Sequence, residues 1–226
     1  MASKSSESTQ ADLWEFYNGL LLSPDVERIR KLLVRYDIFK MSLKVPGDIL
    51  ECGVFKGVGV MYWLKLLAIF APAAMKKVVG FDTFAAFADD LLSYEKKTAG
   101  DFTNETAFEG VDPNDILEIA TRAGFKDRLE LIAGDIKKTA QQYVQDNPGF
   151  RISLLHLDLD TYNGTTATLE NFYELVSPGG IILLDEYGMR GWGESDAVDK
   201  FFKGRPVEIR VVEHSYKPSA YIIKQG

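Results

Sequence analysis

The chain carries one cysteine, Cys52, so it can form no disulfide within itself. That excludes a disulfide-stapled scaffold and fits a reducing compartment, so a cytoplasmic protein is expected. Runs of positive charge are also missing. Lys and Arg total 26 against 33 Asp and Glu, a net charge of −7, and no basic stretch could neutralise a string of phosphates. Nucleic acid is therefore not an expected partner. The most apolar segment, residues 58–75, is interrupted by Lys65 and Pro72. It is too short and broken to span a bilayer, so it reads as a buried helix and no membrane partner is expected. The opening MASKSSESTQ lacks the apolar stretch of a signal peptide, and residues 1–11 are expected to form a disordered tail.

What is present suits a single core. The 226 residues are 46% hydrophobic, enough for one domain over residues 12–226 and too few for two ordinary ones. Between residues 12 and 44 the apolar positions Leu13, Phe16, Tyr17 and Leu20, then Ile29, Leu32, Leu33 and Tyr36, recur at helical spacing around Ser23-Pro24. Two N-terminal helices are expected there. Strands are then expected over 48–53, 77–81, 129–133, 152–157 and 181–184. Helices fall between them (after Gly53, then 112–123, 139–145 and 165–175), with Ser177-Pro-Gly-Gly180 as a turn. This βαβ alternation predicts a doubly wound, mostly parallel α/β sheet. Segments 207–213 and 220–224 are separated by a loop too short for a crossover, which predicts an antiparallel hairpin at the end. The polar stretch 85–112 breaks the rhythm and reads as a lid-like insertion or an exposed loop.

The glycine-rich turn Glu51-Cys52-Gly53-Val-Phe-Lys-Gly57-Val-Gly59 follows the first strand. Its glycines allow backbone to approach a ligand or simply make a tight strand-to-helix turn. Asp82, at the end of the second strand and followed by Thr83, stands where an acid accepts both hydroxyls of a ribose, or where it caps the next segment. Ribose recognition does not separate cofactors, but Glu51 does. A carboxylate at the turn repels a pyrophosphate and suits a sulfonium, which favours S-adenosylmethionine (SAM) over NAD. Asp135 and Ile136 end the third strand, where Asp135 can accept from an adenine amine and Ile136 can cover the ring, or Asp135 can cap a helix.

Two further strand ends are acidic: Leu157-Asp158-Leu-Asp160 and Leu184-Asp185-Glu186. Crowded carboxylates repel unless they are protonated, spread into solvent or hold a cation. Oxygen-only donors favour Mg²⁺, with Ca²⁺ or Mn²⁺ as alternatives. Such a cation could lower the pKa of an acceptor hydroxyl while a carboxylate removes the proton. Asp185 and Glu186 are adjacent, so both can reach one metal only if the strand has already ended. His156 reads as a strand residue satisfied by local hydrogen bonds, His214 as a turn residue and Arg190 as exposed. Trp192 reads either as acceptor-site lining or as packing beneath its loop.

These marks, with Gly80-Phe-Asp-Thr-Phe84, Gly100-Asp-Phe102, Asp158-x-Asp160-x-Tyr162, Ser177-Pro-Gly-Gly180, Asp185-Glu-Tyr187 and Ala197-Val-Asp-Lys-Phe201, together resemble the macrocin O-methyltransferase (TylF/MycF-like) family of metal-dependent class I SAM methyltransferases. The resemblance implies a seven-stranded Rossmann-like sheet and methyl transfer to a hydroxyl of a sugar or other polyhydroxylated small molecule. It implies Asp160 as general base, Asp158, Asp185 and Glu186 as metal ligands, and Glu51, Cys52, Gly53, Gly57, Asp82, Thr83, Asp135, Ile136 and Asp158 around the cofactor. A helical lid and a homo-oligomer, a dimer in preference, are also implied. The sequence departs from the family pattern with Glu186 where a second aspartate is usual and Leu159 where glycine is usual. The other readings of the same residues are a nucleotide-dependent oxidoreductase and a non-catalytic SAM-binding module.

Overall fold

The computed structural model describes residues 9–107 and 110–226. The expected tail falls mainly on residues 1–8, outside the described residues. Thr9 already caps the first helix, α1 (Gln10–Leu22), through a reciprocal capping box with Asp12, so helix begins two residues before the expected boundary. Ser23, in extended conformation, ends it. Helix α2 (Glu27–Ser42) follows and buries Val34, Ile38 and Phe39. No residue of α1 is buried, and its Trp14, Phe16 and Tyr17 are all more than half exposed.

The alternating elements are β1 (Asp48–Cys52), α3 (Val58–Phe70), β2 (Val78–Asp82), α4 (Glu95–Thr106), α5 (Pro113–Arg122) and β3 (Leu129–Ala133). Then come α6 (Ile136–Asp146), β4 (Ile152–Leu157), α7 (Tyr162–Phe172), β5 (Val176–Leu184), α8 (Glu194–Phe202), β6 (Ile209–Val211) and β7 (Ala220–Ile223). The seven strands lie in the order β3-β2-β1-β4-β5-β7-β6. Pairings are parallel through β5 and antiparallel at β5–β7 and β6–β7. The sheet reverses its winding between β1 and β4, and ligands of open α/β sheets bind at such a switch point, beyond the carboxyl ends of the strands.

Successive residues of a strand face opposite sides, so the core has two layers. Leu50, Cys52, Leu155, Leu157, Ile182 and Leu184 pack on one face, and Ile49, Leu154, Ile181 and Leu183 on the other, with α3 residues Trp63, Leu64 and Leu67. With both faces covered, the central strands are apolar almost throughout. Of the apolar segment 58–75, residues Val58–Phe70 form α3 and bury one face, while the chain leaves the helix at Ala71 and Met75 is exposed; no helix among the described residues is long and apolar enough to cross a membrane.

Ser177-Pro-Gly-Gly180 is not a turn. It lies inside β5 as a bulge, because Ile152 pairs with Val176 whereas Leu154 pairs with Ile181. Gly179, at φ +79°, donates its N–H to the Lys224 carbonyl at 2.8 Å, and Lys224 N–H returns to the Gly180 carbonyl at 2.9 Å. The extra residues are thus paired beyond the end of β7 and do not reverse the chain. The 85–112 insertion is not featureless either, since it contains α4.

Candidate active site

The glycine turn is held from both sides. Gly53, at φ +98°, crosses the end of β4 so closely that a Cβ would overlap the Asp158 carbonyl oxygen, while Asp158 N–H donates to the Cys52 carbonyl at 2.8 Å. Asp82 staples the turn to β2. One oxygen accepts from Val54 and Phe55 N–H at 2.7 and 2.8 Å, and the other accepts from Phe84 N–H at 2.7 Å. The first oxygen has used both lone pairs, and the second shares its remaining capacity with the Thr83 hydroxyl at 3.4 Å.

Glu51 is buried on the α3 side of the sheet, where it accepts from Trp63 Nε1 and lies 3.6 Å from His156 Nδ1. Its carboxylate rests against Gly59, where any Cβ would collide with it. Strand alternation sends the next residue the other way. Cys52 is fully buried in the opposite core layer, its thiol near Thr168 and pushed up by burial. Its side chain does not reach the cavity, which corrects the expectation that it meets the cofactor. Gly57 has a conformational role in the same turn. At φ +84° it starts α3, and a Cβ would press on the Ile116 side chain.

A cavity of about 570 Å³ opens on the carboxyl edge of the sheet. Glu51, Gly53, Asp82, Thr83, Asp135, Ile136 and Asp158 all line it, with Asp160, Lys31, Arg35 and Lys217. Phe55, Phe87 and Phe102 form an aromatic wall, and Leu20 and Leu32 of the N-terminal helices also border it. Asp135 doubles as the N-cap of α6, accepting from Lys137 N–H at 3.1 Å.

Parallel pairing of Leu157 with Leu184 brings the two acidic strand ends side by side. Asp160 has φ +63°, unusual for a residue with a side chain. A tight turn from Thr161 N–H to the Leu159 carbonyl (2.6 Å) and the Gly193 N–H on the Asp160 carbonyl (3.0 Å) hold it there. The carboxylates form two potential metal-binding trios that share Asp158: one with Asp160 and Glu186, the other with His156 and Asp185. Among the described residues, Asp158, Asp185 and Glu186 do not form one trio, because the adjacent Asp185 and Glu186 turn to different partners.

Each half has a protein cation. Asp185 faces His156 Nε2 at 3.2 Å and Lys31 Nζ at 3.3 Å, and the buried Arg35 lies 3.4 Å from Asp158. Lys217, from the β6–β7 loop, touches Glu186 and sits 3.7 Å from Asp160. Burial pushes the Asp160 carboxyl up to about 6 against the pull of Lys217, and raises Glu186 and Glu194 as well. Burial would lower His156, but its bonds to Asp185 and Glu51 win and take it to about 9. Asp185 moves the opposite way: burial opposes its charge, but His156 and Lys31 hold it below the usual carboxylate range. His156 is therefore an ionic partner inside the site and not merely a satisfied strand residue.

The donor set fits a hard divalent cation. Asp158, Asp160 and Glu186 offer oxygens within 4.8 Å of one another. Glu186 Oε2 and Glu194 Oε2 are buried and accept no hydrogen bond, while the unbonded oxygens of Asp160 and Asp185 and the other oxygen of Glu186 face the ammonium groups of Lys217 and Lys31; oxygen-rich sites of this kind suit Mg²⁺ or Ca²⁺. Lys31, Arg35, Lys217 and Glu194 escaped the sequence reading, since each reaches the cluster from a distant segment without a local motif. Trp192 is buried beneath the insertion, 5.9 Å from the Phe87 ring and 6.4 Å from the Phe102 ring, while Arg190 and His214 are exposed.

Residues 27–213 match the macrocin O-methyltransferase (TylF) family. The chain belongs to that family. It is similar to the 8-demethyl-8-(2,3-dimethoxy-alpha-L-rhamnosyl)-tetracenomycin-C 4'-O-methyltransferase of Streptomyces olivaceus, 26% identical over 154 residues, which are 64% of this chain and 54% of that protein. Mycinamicin III 3''-O-methyltransferase of Micromonospora griseorubida is 27% identical over 154 residues, 63% of this chain and 56% of that protein. The chain thus spans little more than half the length of these relatives. Among solved structures, the calicheamicin methyltransferase CalS11 superposes with a TM-score of 0.76 at 24% identity, covering 97% of this chain and 87% of that one. The O-methyltransferase NovP gives 0.74 at 22%, covering 88% and 81%. The fold is that of the class I SAM methyltransferases, as the strand order requires.

Proposed function

We propose that the protein is a SAM-dependent O-methyltransferase that acts on a hydroxyl of a sugar or other polyhydroxylated small molecule with help from a divalent cation. The observation that carries this reading is one cavity shared by the Glu51–Asp82–Asp135 end, suited to a cationic nucleoside, and the Asp158–Asp160 end, suited to a hydroxyl and its metal. The relatives named as a 4'-O-methyltransferase of a rhamnosyl-tetracenomycin and a 3''-O-methyltransferase of mycinamicin III support a glycosidic acceptor. When bound, SAM supplies an electrophilic methyl group and the cation lowers the pKa of the hydroxyl that receives it.

Asp158, Asp160 and Glu186 are the residues that would hold the cation. Asp160 is also the base, with its carboxyl poised near 6 and therefore ionised at neutral pH. Lys217 beside it favours that ionised form. Phe55, Phe87 and Phe102 keep the cavity apolar around the reacting groups, and the α4 insertion serves as the lid. The exposed apolar residues of α1 support assembly of two copies through that helix.

A dinucleotide-dependent oxidoreductase is disfavoured by the buried Glu51 against the first turn of α3, the place a pyrophosphate would need. The deciding experiment is calorimetry with SAM and NADH, followed by transfer of labelled methyl to a panel of deoxysugar glycosides and nucleotide sugars, with and without EDTA. SAM binding and EDTA-sensitive transfer are expected. Stabilisation by NADH without SAM binding would overturn the reading, SAM binding without transfer to any acceptor would select the non-catalytic module, and EDTA-insensitive transfer would remove the metal.

A further inference from the structure

We propose that Glu95 is a positioning residue that sets the Asp160 base from the insertion helix. Glu95 begins α4 and is fully buried, yet it lines no part of the cavity that Asp160 faces. Its carboxylate is divided between two main-chain donors. Oε2 accepts from Leu92 N–H at 2.7 Å, within the insertion itself, and Oε1 accepts from Tyr162 N–H at 2.7 Å. Tyr162 starts α7 two residues after Asp160. A carboxylate has only acceptor sites, so it can serve both N–H groups at once.

The third party is Gly193. A Cβ there would collide with Glu95 Oε1 and with Tyr162 itself, and Gly193 N–H is the donor that caps the Asp160 carbonyl. The left-handed Asp160 is thus braced on both sides by groups that converge on one Glu95 oxygen. Backbone conformations of this kind cost free energy and persist only where the surroundings over-determine them. Further contacts dock α4 in the same place: Tyr94 OH donates to Asp196 at 2.9 Å, and Gly191 leaves room for Thr98. If α4 leaves the turn, the Glu95–Tyr162 bond breaks. The base is then correctly placed only while the insertion is closed.

This inference rests on the methyltransferase reading, and the experiment separates the two. The intact protein and Glu95→Gln are compared for kcat, KM, SAM affinity, thermal midpoint and hydrogen exchange at the Tyr162 amide. Gln offers one acceptor oxygen and turns a donor towards the second N–H. Expected are a protected Tyr162 amide in the unmodified protein and faster exchange in the variant. A kcat loss of about 10- to 100-fold is expected with KM and SAM affinity within about twofold, because sub-ångström misplacement of reacting groups costs rate more than binding. An unchanged kcat in folded Glu95→Gln overturns the proposal. So does a Tyr162 amide that exchanges freely in the unmodified protein, which needs no variant and decides the matter even if Glu95→Gln fails to fold. A protected Tyr162 amide in a protein that transfers no methyl group overturns the functional reading instead.

Discussion

Asp185 and Glu186 are consecutive in the chain, yet they answer to different cations: Asp185 to His156 and Lys31, Glu186 to Lys217. A metal and Lys217 therefore compete for the same Glu186 and Asp160 oxygens. Lys217→Met should tighten Mn²⁺ binding by at least about tenfold, since like charges a few ångströms apart cost more than 1.4 kcal/mol at the dielectric of a partly buried site. Calorimetry with Mn²⁺ checks this. Weaker binding in the variant would mean that Lys217 helps to build the metal site.

Asp160→Asn should leave the fold intact, because Asn adopts positive φ about as readily as Asp. Methyl transfer should fall by about 10²- to 10⁴-fold, the usual contribution of a general base. Thermal midpoint and SAM affinity, measured beside the rate, should stay close to those of the unmodified protein. A rate within threefold would assign the base elsewhere.

Asp82→Ala strips three backbone N–H groups of their acceptor. Those left buried cost about 1–3 kcal/mol each, so denaturant titration should show a clear loss of stability, and calorimetry a weaker affinity for SAM. Retained affinity would remove Asp82 from the cofactor site.

Stability of the metal-free protein should decline from mildly acidic to alkaline pH. Asp160, Glu186, Glu194 and His156 all have pKa values raised by folding. A raised pKa gives stability that is full below the unfolded value and lost as pH climbs through the folded one. For Asp160 the window runs from about 4 to about 6, and for His156 from about 6.5 to about 9. Asp185 has the opposite sign, with stability lost only on strong acidification. Thermal melts between pH 5 and 9 in EDTA test this, and added Mg²⁺ should flatten the alkaline decline by replacing protons at the carboxylates. A flat profile in EDTA would contradict it.

The sheet was readable because the central strands bury both faces and show as apolar runs, and because the spacing of 207–213 and 220–224 admits only a hairpin. Chemistry-bearing acids were readable for the same reason: they interrupt those runs at their carboxyl ends. Cys52 shares a motif with Glu51, yet strand alternation buries the two side chains on opposite faces of the sheet. Ser177-Pro-Gly-Gly180 has turn composition, but its neighbours Ile152 and Lys224 make it a bulge. Helix α4 has no side-chain N-cap bond and a polar sequence, and long-range bonds from Glu95 and Tyr94 dock it. Arg35 and Asp158 are separated by 123 residues, and nothing local marks such a pair.

The two hydrogen bonds that Asp82 accepts from the glycine turn, at Val54 and Phe55, have a thermodynamic corollary. A loop already fixed to its neighbouring strand surrenders little conformational entropy when a ligand arrives. Association at that end of the cavity should therefore need no folding of the turn. Under the proposed function one reactant meets a berth set before it arrives, and any adjustment falls to the α4 side of the cavity.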